Sequence, residues 1–132
     1  MNIAEKINVL MMGFYGNRTI VDITREKLEN KTEGINLEHY ILGILDVKAI
    51  DGSEKFDTTI ISIPRTNLVI IYNKYQEERE RNRQGKLKPL VNILEHNIKI
   101  HSRCAICRRN EEGKLYSIES KDIDSIIKYL AE

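Results

Sequence analysis

The feature that most constrains this chain is a pair of apolar, β-branched runs on either side of a short turn. The runs are Phe56 to Ile63 and Leu68 to Tyr72, and the turn Pro64-Arg65-Thr66-Asn67 separates them. Each run has the composition of a strand. Strands joined by so short a connection pair antiparallel, because a parallel pair needs a crossover of a dozen or more residues. The sequence therefore predicts an antiparallel sheet.

The residues before this hairpin predict a helix and two more strands. Near the N-terminus, apolar residues recur at a 3.6-residue period, which predicts an amphipathic helix. They are Ile3, Ile7, Leu10, Met11 and Phe14. The β-branched run Arg18 to Thr24 predicts a strand. Residues 36–50 carry apolar residues on both faces with Gly43 in the middle, which predicts a long, bent strand. The turn Asp51-Gly52-Ser53 then leads into the run from Phe56 to Ile63. Residues 1–73 are thus expected to form one domain, an N-terminal helix on a strongly bent antiparallel sheet.

The second half of the chain predicts a smaller α+β module. Residues 74–88 are almost wholly polar and indicate a charged linker or short helix. Pro89 suits the first turn of a short helix over 90–95. Residues 98–108 and 114–118 flank Asn110-Glu111-Glu112-Gly113 and predict a β-hairpin. A final helix is expected from Ser120, its N-cap, with an apolar stripe of Ile123, Ile126, Ile127 and Leu130. Residues 89–132 would form this helix-hairpin-helix module, and the fold class is α+β.

Composition sets limits on location and chemistry. The chain has 132 residues, two cysteines and no apolar run near the roughly 18 residues that span a membrane. The N-terminal residues lack the pattern of a secretory signal, so a cytoplasmic protein without a membrane partner is expected. We find no nucleophile elbow and no phosphate-binding glycine loop in the sequence. The expectation is a protein that is not an enzyme and uses no cofactor.

Four residues could be considered as metal ligands. They are His96, His101, Cys104 and Cys107. If residues 98–108 form a regular strand, Cys104 and Cys107 point to opposite faces and cannot share one zinc ion. We therefore predict no metal site within one chain, with Cys104 in the core and Cys107 as an exposed or half-buried thiol. The alternative is a zinc site that uses His101, Cys104 and Cys107 across a dimer.

Positive charge is concentrated between residues 79 and 109. This basic segment contains nine Lys or Arg residues and two Glu residues. Its arginines are Arg79, Arg81, Arg83, Arg103, Arg108 and Arg109. Such an excess attracts phosphate-bearing partners. The alternative interpretation is a solvated surface.

The turn at Arg65 and Asn67 supports a resemblance to a known family. An N-terminal helix, a strand, a long strand with a central glycine and then strands joined by an Arg-x-Asn turn resemble the Sm-like small β-barrel over residues 1–73. Two differences stand out: Thr66 replaces the glycine of that family's turn, and Asp51-Gly52-Ser53-Glu54 replaces the loop that carries its Asp and Asn. The resemblance implies an oligomer that binds RNA.

Two functions follow from these observations. The first is a non-enzymatic, oligomeric binding protein that engages RNA or another phosphorylated nucleotide ligand through Arg65, Asn67 and the basic segment. The second is a protein–protein interaction or regulatory module, of a kind that viruses or mobile elements encode, in which the barrel only oligomerises. For Arg65 itself, a structural role is the alternative: an ion pair with Asp51 or Asp57 would steady the turn.

Overall fold

A six-stranded antiparallel sheet organises the chain. The computed structural model describes residues 6–13, 18–24, 57–82, 88–112 and 115–131. In chain order the elements are β1 (Lys6–Met12), β2 (Arg18–Thr24), β3 (Thr58–Ser62), β4 (Leu68–Asn73), α1 (Lys74–Arg81), β5 (Val91–Ile93), a 3-10 helix (Leu94–His96), β6 (Ile98–Ile100), β7 (Cys104–Arg109), β8 (Leu115–Tyr116), α2 (Ser120–Ile126) and a second 3-10 helix (Ile127–Tyr129). The large sheet has the order β2-β1-β7-β4-β3, and β8 also pairs with β7. Strands β5 and β6 form a second, smaller sheet.

Strand β7 lies at the centre of the large sheet although it comes from the C-terminal half of the chain. Ile106 stands opposite Leu10 of β1 on one side and Ile70 of β4 on the other. Strands that precede and strands that follow residues 74–88 in the chain therefore share one sheet. The division into a 1–73 domain and an 89–132 module stays a prediction. The predicted Sm-like architecture, a helix followed by a sheet from residues 1–73 alone, is wrong because a distant strand separates β1 from β4.

The predicted N-terminal helix is also wrong, since residues 6–12 form strand β1. Ile7, Val9 and Met11 are buried on one face of the sheet, whereas Leu10 and Met12 are buried on the other. Residues that are apolar on both alternations suit a central strand. The same run also fits a helical period, so local pattern did not decide between the two structures.

Other local predictions have mixed outcomes. The strand over 18–24, the β3–β4 hairpin and the β7–β8 hairpin are confirmed. The short helix over 90–95 is wrong: residues 91–93 alternate buried and half-buried and pair with β6. The single strand over 98–108 is broken at 101–103, where the chain passes from the small sheet into the large one. The strand over 36–50 with Gly43 and the turn Asp51-Gly52-Ser53 lie outside the described residues.

The C-terminal segment packs on one face of the large sheet. Helix α2 begins after Glu119, whose backbone N–H donates to Asp122 Oδ2 at 2.9 Å, so Glu119 rather than Ser120 is the N-cap. Ile126 is buried, whereas Ile127 is exposed despite its place in the predicted stripe. Leu130 forms a β-bridge with Val91, which ties the end of the chain to the small sheet. No helix among the described ranges has both the length and the apolar character needed to cross a membrane.

Two apolar clusters fill the two faces of the large sheet. The first joins the sheet to β5, β6 and α2, with Ile70, Ile106 and Ile126 among its buried residues. The described members of the second come from the strands themselves, and they include Ile7, Val69 and Cys107. Fully burying one such aliphatic side chain contributes about 1.5–3 kcal/mol. These clusters make the sheet a rigid base for the turns at its ends.

A buried carboxylate holds the junction between the two sheets. Glu77 of α1 is 2% exposed. Its Oε2 accepts the backbone N–H groups of His101 and Ser102, each at 2.8 Å. Its Oε1 lies 3.0 Å from His101 Nδ1 and 3.4 Å from Arg81 Nη2. Because buried polar groups need partners, this carboxylate fixes the 101–103 passage against α1.

The position of α1 is set by Asn73. Its Oδ1 accepts the backbone N–H groups of Tyr75 and Asp57, both at 3.1 Å, so the side chain caps the helix and secures the residue before β3. The backbone N–H of Lys74 donates to the carbonyl of Asp57 at 2.9 Å. Helix α1 therefore starts at a fixed point beside β3 and β4, which places Glu77 against the 101–103 passage.

Replacing Glu77 should strongly reduce stability. We expect Glu77→Ala to lower the free energy of unfolding by about 2–4 kcal/mol, because it leaves buried backbone donors at His101 and Ser102 without their acceptor. The matched control is Glu78→Ala, an exposed position on the same helix, which should change stability by less than about 0.5 kcal/mol. Urea denaturation measures both, and equal effects of the two variants would contradict the role of Glu77.

Candidate functional site

A cleft of about 450 Å³ opens beside the β3–β4 turn. It is formed by this turn, by the 3-10 helix after β5 and by the end of the C-terminal helical segment. The described residues that line it are Ile63, Pro64, Arg65, Thr66, Ile93, Glu95, His96, Ser125, Ile126 and Tyr129. Its volume is within the range of about 300–1,000 Å³ typical of small-molecule sites.

The lining of the cleft combines apolar and polar groups. Ile63, Ile93 and Ile126 are buried members of the core cluster, so this part of the wall is built from rigid, packed side chains. Arg65 and His96 are exposed and contribute polar groups at the opening. A ligand with one apolar or aromatic part and one charged part would match this distribution.

The backbone of Arg65 is held in an unusual conformation. Its φ of 63° lies in the left-handed region, which is uncommon for a residue other than glycine. Thr66 maintains the turn: its hydroxyl donates to the carbonyl of Ile63 at 2.8 Å and accepts the N–H of Leu68 at 3.0 Å. The N–H of Ile63 donates to the carbonyl of Leu68 at 2.9 Å and closes the hairpin. The base of the Arg65 side chain is therefore fixed at the edge of the cleft.

The Arg65 side chain itself is exposed and makes no ion pair with any described residue. This includes Asp57, one of the two partners considered for a structural role; the other, Asp51, is outside the described residues. A guanidinium carries five donors in a planar fork suited to phosphate or carboxylate. A ligand in the cleft that carries either group would match the guanidinium.

Glu95 and Tyr129 form a hydrogen-bonded pair in the wall of the cleft. The Tyr129 hydroxyl donates to Glu95 Oε1. This bond lowers the pKa of the Glu95 carboxyl below its ordinary value, with smaller contributions from a backbone hydrogen bond and from the charges of Lys128 and His96. Glu95 is therefore ionised at neutral pH and can only accept hydrogen bonds.

The other predicted binding residues are divided between two ends of β7. At one end, the backbone carbonyl of Asn67 accepts the N–H of Arg109 at 2.7 Å. Arg108 pairs there with Glu119 at 3.1 Å. Arg103 precedes the other end of the strand, five residues from Arg108, which is about 17 Å of extended chain.

Helix α1 carries the other described arginines of the basic segment. Arg79 and Arg81 lie in its last turn, and Arg81 pairs with Glu77 at 3.4 Å. Arg83 lies outside the described residues. The helix follows directly from the end of β4 that pairs with Cys104, so these arginines lie toward the Arg103 end of the sheet. The structure thus brings Arg65 and Asn67 into one turn near Arg108 and Arg109, and separates them from Arg79, Arg81 and Arg103.

The two cysteines occupy opposite faces of β7, as the alternation predicted. Cys104 belongs to the first apolar cluster and Cys107 to the second. The predicted exposure of Cys107 is wrong, because both thiols are buried. Burial raises the pKa of the Cys104 thiol far above its usual range, and Glu77 and Cys107 add to the effect. Within the described part of the chain, no group of three His, Cys, Asp or Glu side chains is arranged to hold a metal.

Sequence reasoning missed most of the cleft. His96 was considered only as a metal ligand, and Glu95 and Tyr129 had no assigned role. Glu95 and Tyr129 are 34 residues apart, and they meet because Leu130 pairs with Val91 of the small sheet. No local pattern signals such a contact. The turn at Arg65 was found because Pro64 and the flanking strands mark it in the sequence.

Removing the Arg65 side chain should not destabilise the fold. We expect Arg65→Gly to leave the free energy of unfolding unchanged or raise it by up to about 1 kcal/mol, because glycine adopts the left-handed region without the cost of about 1–2 kcal/mol that other residues meet. The control is Arg18→Gly in β2, which should lose about 1 kcal/mol. A loss above 1 kcal/mol for Arg65→Gly in urea denaturation would show that Arg65 supports the turn instead.

Both cysteines should resist modification in the folded protein. We expect a disulfide reagent at pH 8 to label Cys104 and Cys107 slowly, because they are buried and the raised pKa of Cys104 keeps its thiol protonated. Labelling in urea should be fast at both positions. Metal analysis of the purified protein should find no stoichiometric zinc. Zinc that is present and lost in Cys107→Ser would contradict the placement of the two thiols.

The chain was compared with protein-family models, with curated proteins and with solved structures. No family model, curated protein or solved structure matches it. The chemistry of the cleft at Arg65 is therefore the basis on which a function is inferred.

Proposed function

We propose that this protein is a non-enzymatic binding protein that holds a phosphorylated nucleotide ligand in the cleft at Arg65. The observation that carries the proposal is an exposed guanidinium, fixed on a left-handed backbone at the edge of a cleft of about 450 Å³. Non-glycine residues held in the left-handed region cluster at active sites and ligand clamps, so this residue supports a hypothesis of binding. The size of the cleft suits a single nucleotide.

The lining supplies a contact for each part of such a ligand. Arg65 would bind the phosphate through two parallel N–H donors, and His96 stands on the same cleft as a further polar group. The ring of Tyr129 offers a surface on which a base can stack. The buried side chains of Ile63, Ile93 and Ile126 would exclude water from the other side of the base.

A mononucleotide is favoured over a long RNA that would follow the basic segment. Arg103 and Arg108 are separated by five residues, about 17 Å of extended chain. Arg108 is paired with Glu119, and Arg81 is paired with the buried Glu77. These charges are therefore partly neutralised within the fold and belong to different ends of the sheet. A contact made mainly through Arg65 predicts binding with a weak dependence on salt.

A second candidate function is the docking of a protein partner beside the cleft. Leu94 is 72% exposed and lies next to Glu95, and Ile127 is 47% exposed and follows Ile126. Exposed aliphatic residues next to a concave surface favour contact with another chain. The predicted homo-oligomer is one form of this candidate, and the solution mass measures it directly.

The nucleotide proposal is tested by changing the guanidinium alone. We expect Arg65→Lys to weaken binding of ribonucleoside 5′-monophosphates by about 1–3 kcal/mol, because an ammonium cannot reproduce a bidentate contact. Isothermal titration calorimetry with the four monophosphates measures the change. Stability should not differ, since both residues have a similar cost in the left-handed region.

The matched control is Arg18→Lys, an exposed position at the end of β2 that stands opposite Met12. It should bind the monophosphates as the unchanged protein does. Absence of binding of all four monophosphates by the unchanged protein at low salt would contradict the proposal and favour the docking of a protein partner.

A further inference from the structure

The cleft contains a negative group as well as a positive one. Glu95 and Arg65 both line it, and the Tyr129 hydroxyl holds the pKa of the Glu95 carboxyl below its ordinary value, so Glu95 carries a negative charge at neutral pH. A carboxylate repels phosphate and accepts hydrogen bonds only. A nucleotide in this cleft would therefore place its phosphate at Arg65 and a hydrogen-bond donor of its base at Glu95.

The Tyr129 ring fixes the place of the base. Its hydroxyl is engaged with Glu95, so the ring and the carboxylate are held together. Lys128 Nζ lies 5.0 Å from the centroid of this ring, within the distance of a cation–π contact. Lys128 lies over one face of the ring, so a base that stacks on the opposite face would bring its edge to the carboxylate.

We infer that Glu95 makes this cleft selective for guanine among the nucleobases. The inference rests on the proposed function, because it names the base of the nucleotide that Arg65 would bind. Glu95 is then a specificity-determining residue, and Tyr129 is the residue that positions it.

Guanine is the base whose edge matches a carboxylate. Its N1–H and its N2 amino group are neighbouring donors that point the same way, so both can reach a carboxylate. Adenine places the acceptor N1 beside its single amino group, and cytosine likewise places N3 beside N4. Uracil offers one N–H between two carbonyl oxygens. Each of these three bases would bring an acceptor lone pair toward the Glu95 oxygens.

The experiment compares three purine nucleotides that differ only at this edge. GMP has both donors, IMP lacks the amino group, and AMP lacks the N1 proton. We expect dissociation constants by isothermal titration calorimetry to increase about tenfold from GMP to IMP and again about tenfold from IMP to AMP, as expected for hydrogen bonds to a charged acceptor. The unchanged full-length chain is used for all three ligands.

A variant that removes the charge of Glu95 tests whether this residue selects the base. Glu95→Gln keeps the size of the side chain but replaces one acceptor oxygen by an amino donor, so GMP should bind at least tenfold more weakly while AMP is unchanged or tighter. Glu112→Gln is the matched control, because Glu112 is exposed in the β7–β8 turn and does not line the cleft. It should leave all three affinities unchanged. Tyr129→Phe keeps the stacking ring and should reduce the GMP preference only partly.

The outcomes distinguish the guanine selectivity from the nucleotide site on which it rests. If GMP, IMP and AMP bind equally and Arg65→Lys weakens all three, the nucleotide site stands and the guanine selectivity is wrong. If the preference for GMP persists in Glu95→Gln, Glu95 is not the residue that selects the base. If none of the three binds the unchanged protein, both the selectivity and the nucleotide site are wrong.

Discussion

The arrangement of the two sheets depends on the hydrogen bonds that the carboxylate of Glu77 accepts. It lies on α1, directly after β4, and accepts two backbone N–H groups from the passage that leads out of the small sheet into β7. A charge buried in this way is stabilised only while all its donors remain in place. The helix, the junction and the start of the central strand are therefore linked through one side chain.

The cleft is a consequence of how the chain covers the sheet. Strand β7 pairs with β4, which orients the β3–β4 turn, while the small sheet and α2 pack over the same face through the first apolar cluster. The cleft lies where the Arg65 turn, the 3-10 helix after β5 and the end of the C-terminal helical segment adjoin one another. The walls are thus parts of the core, and the polar groups stand on rigid supports.

Sequence pattern predicted the elements that carry an unambiguous local signal. The β3–β4 hairpin and the strand over 18–24 could be found because alternation and turn residues are local signals. The strand over 6–12 was mistaken for a helix because a continuous apolar run fits both periods. It pairs with β2 along its whole length and with β7, which is almost a hundred residues away. Glu77 could not be recognised either: in a run of Glu and Arg residues, a buried carboxylate resembles its solvated neighbours.

The density of charge in the sequence was a weaker guide to function than the pairing of charges in the fold. The basic segment directed attention to Arg81 and Arg108, yet both form ion pairs with glutamates. Arg79, Arg103 and Arg109 also make contacts of their own. Arg65 is outside this segment, and its guanidinium makes no ion pair with a described residue. A charge that is paired within the fold contributes to stability, whereas Arg65 lines the cleft beside the turn. Glu77 accepts several donors within the fold, whereas Arg65 stands on a left-handed backbone beside an open cleft. This difference favours the turn as the place where a ligand is bound.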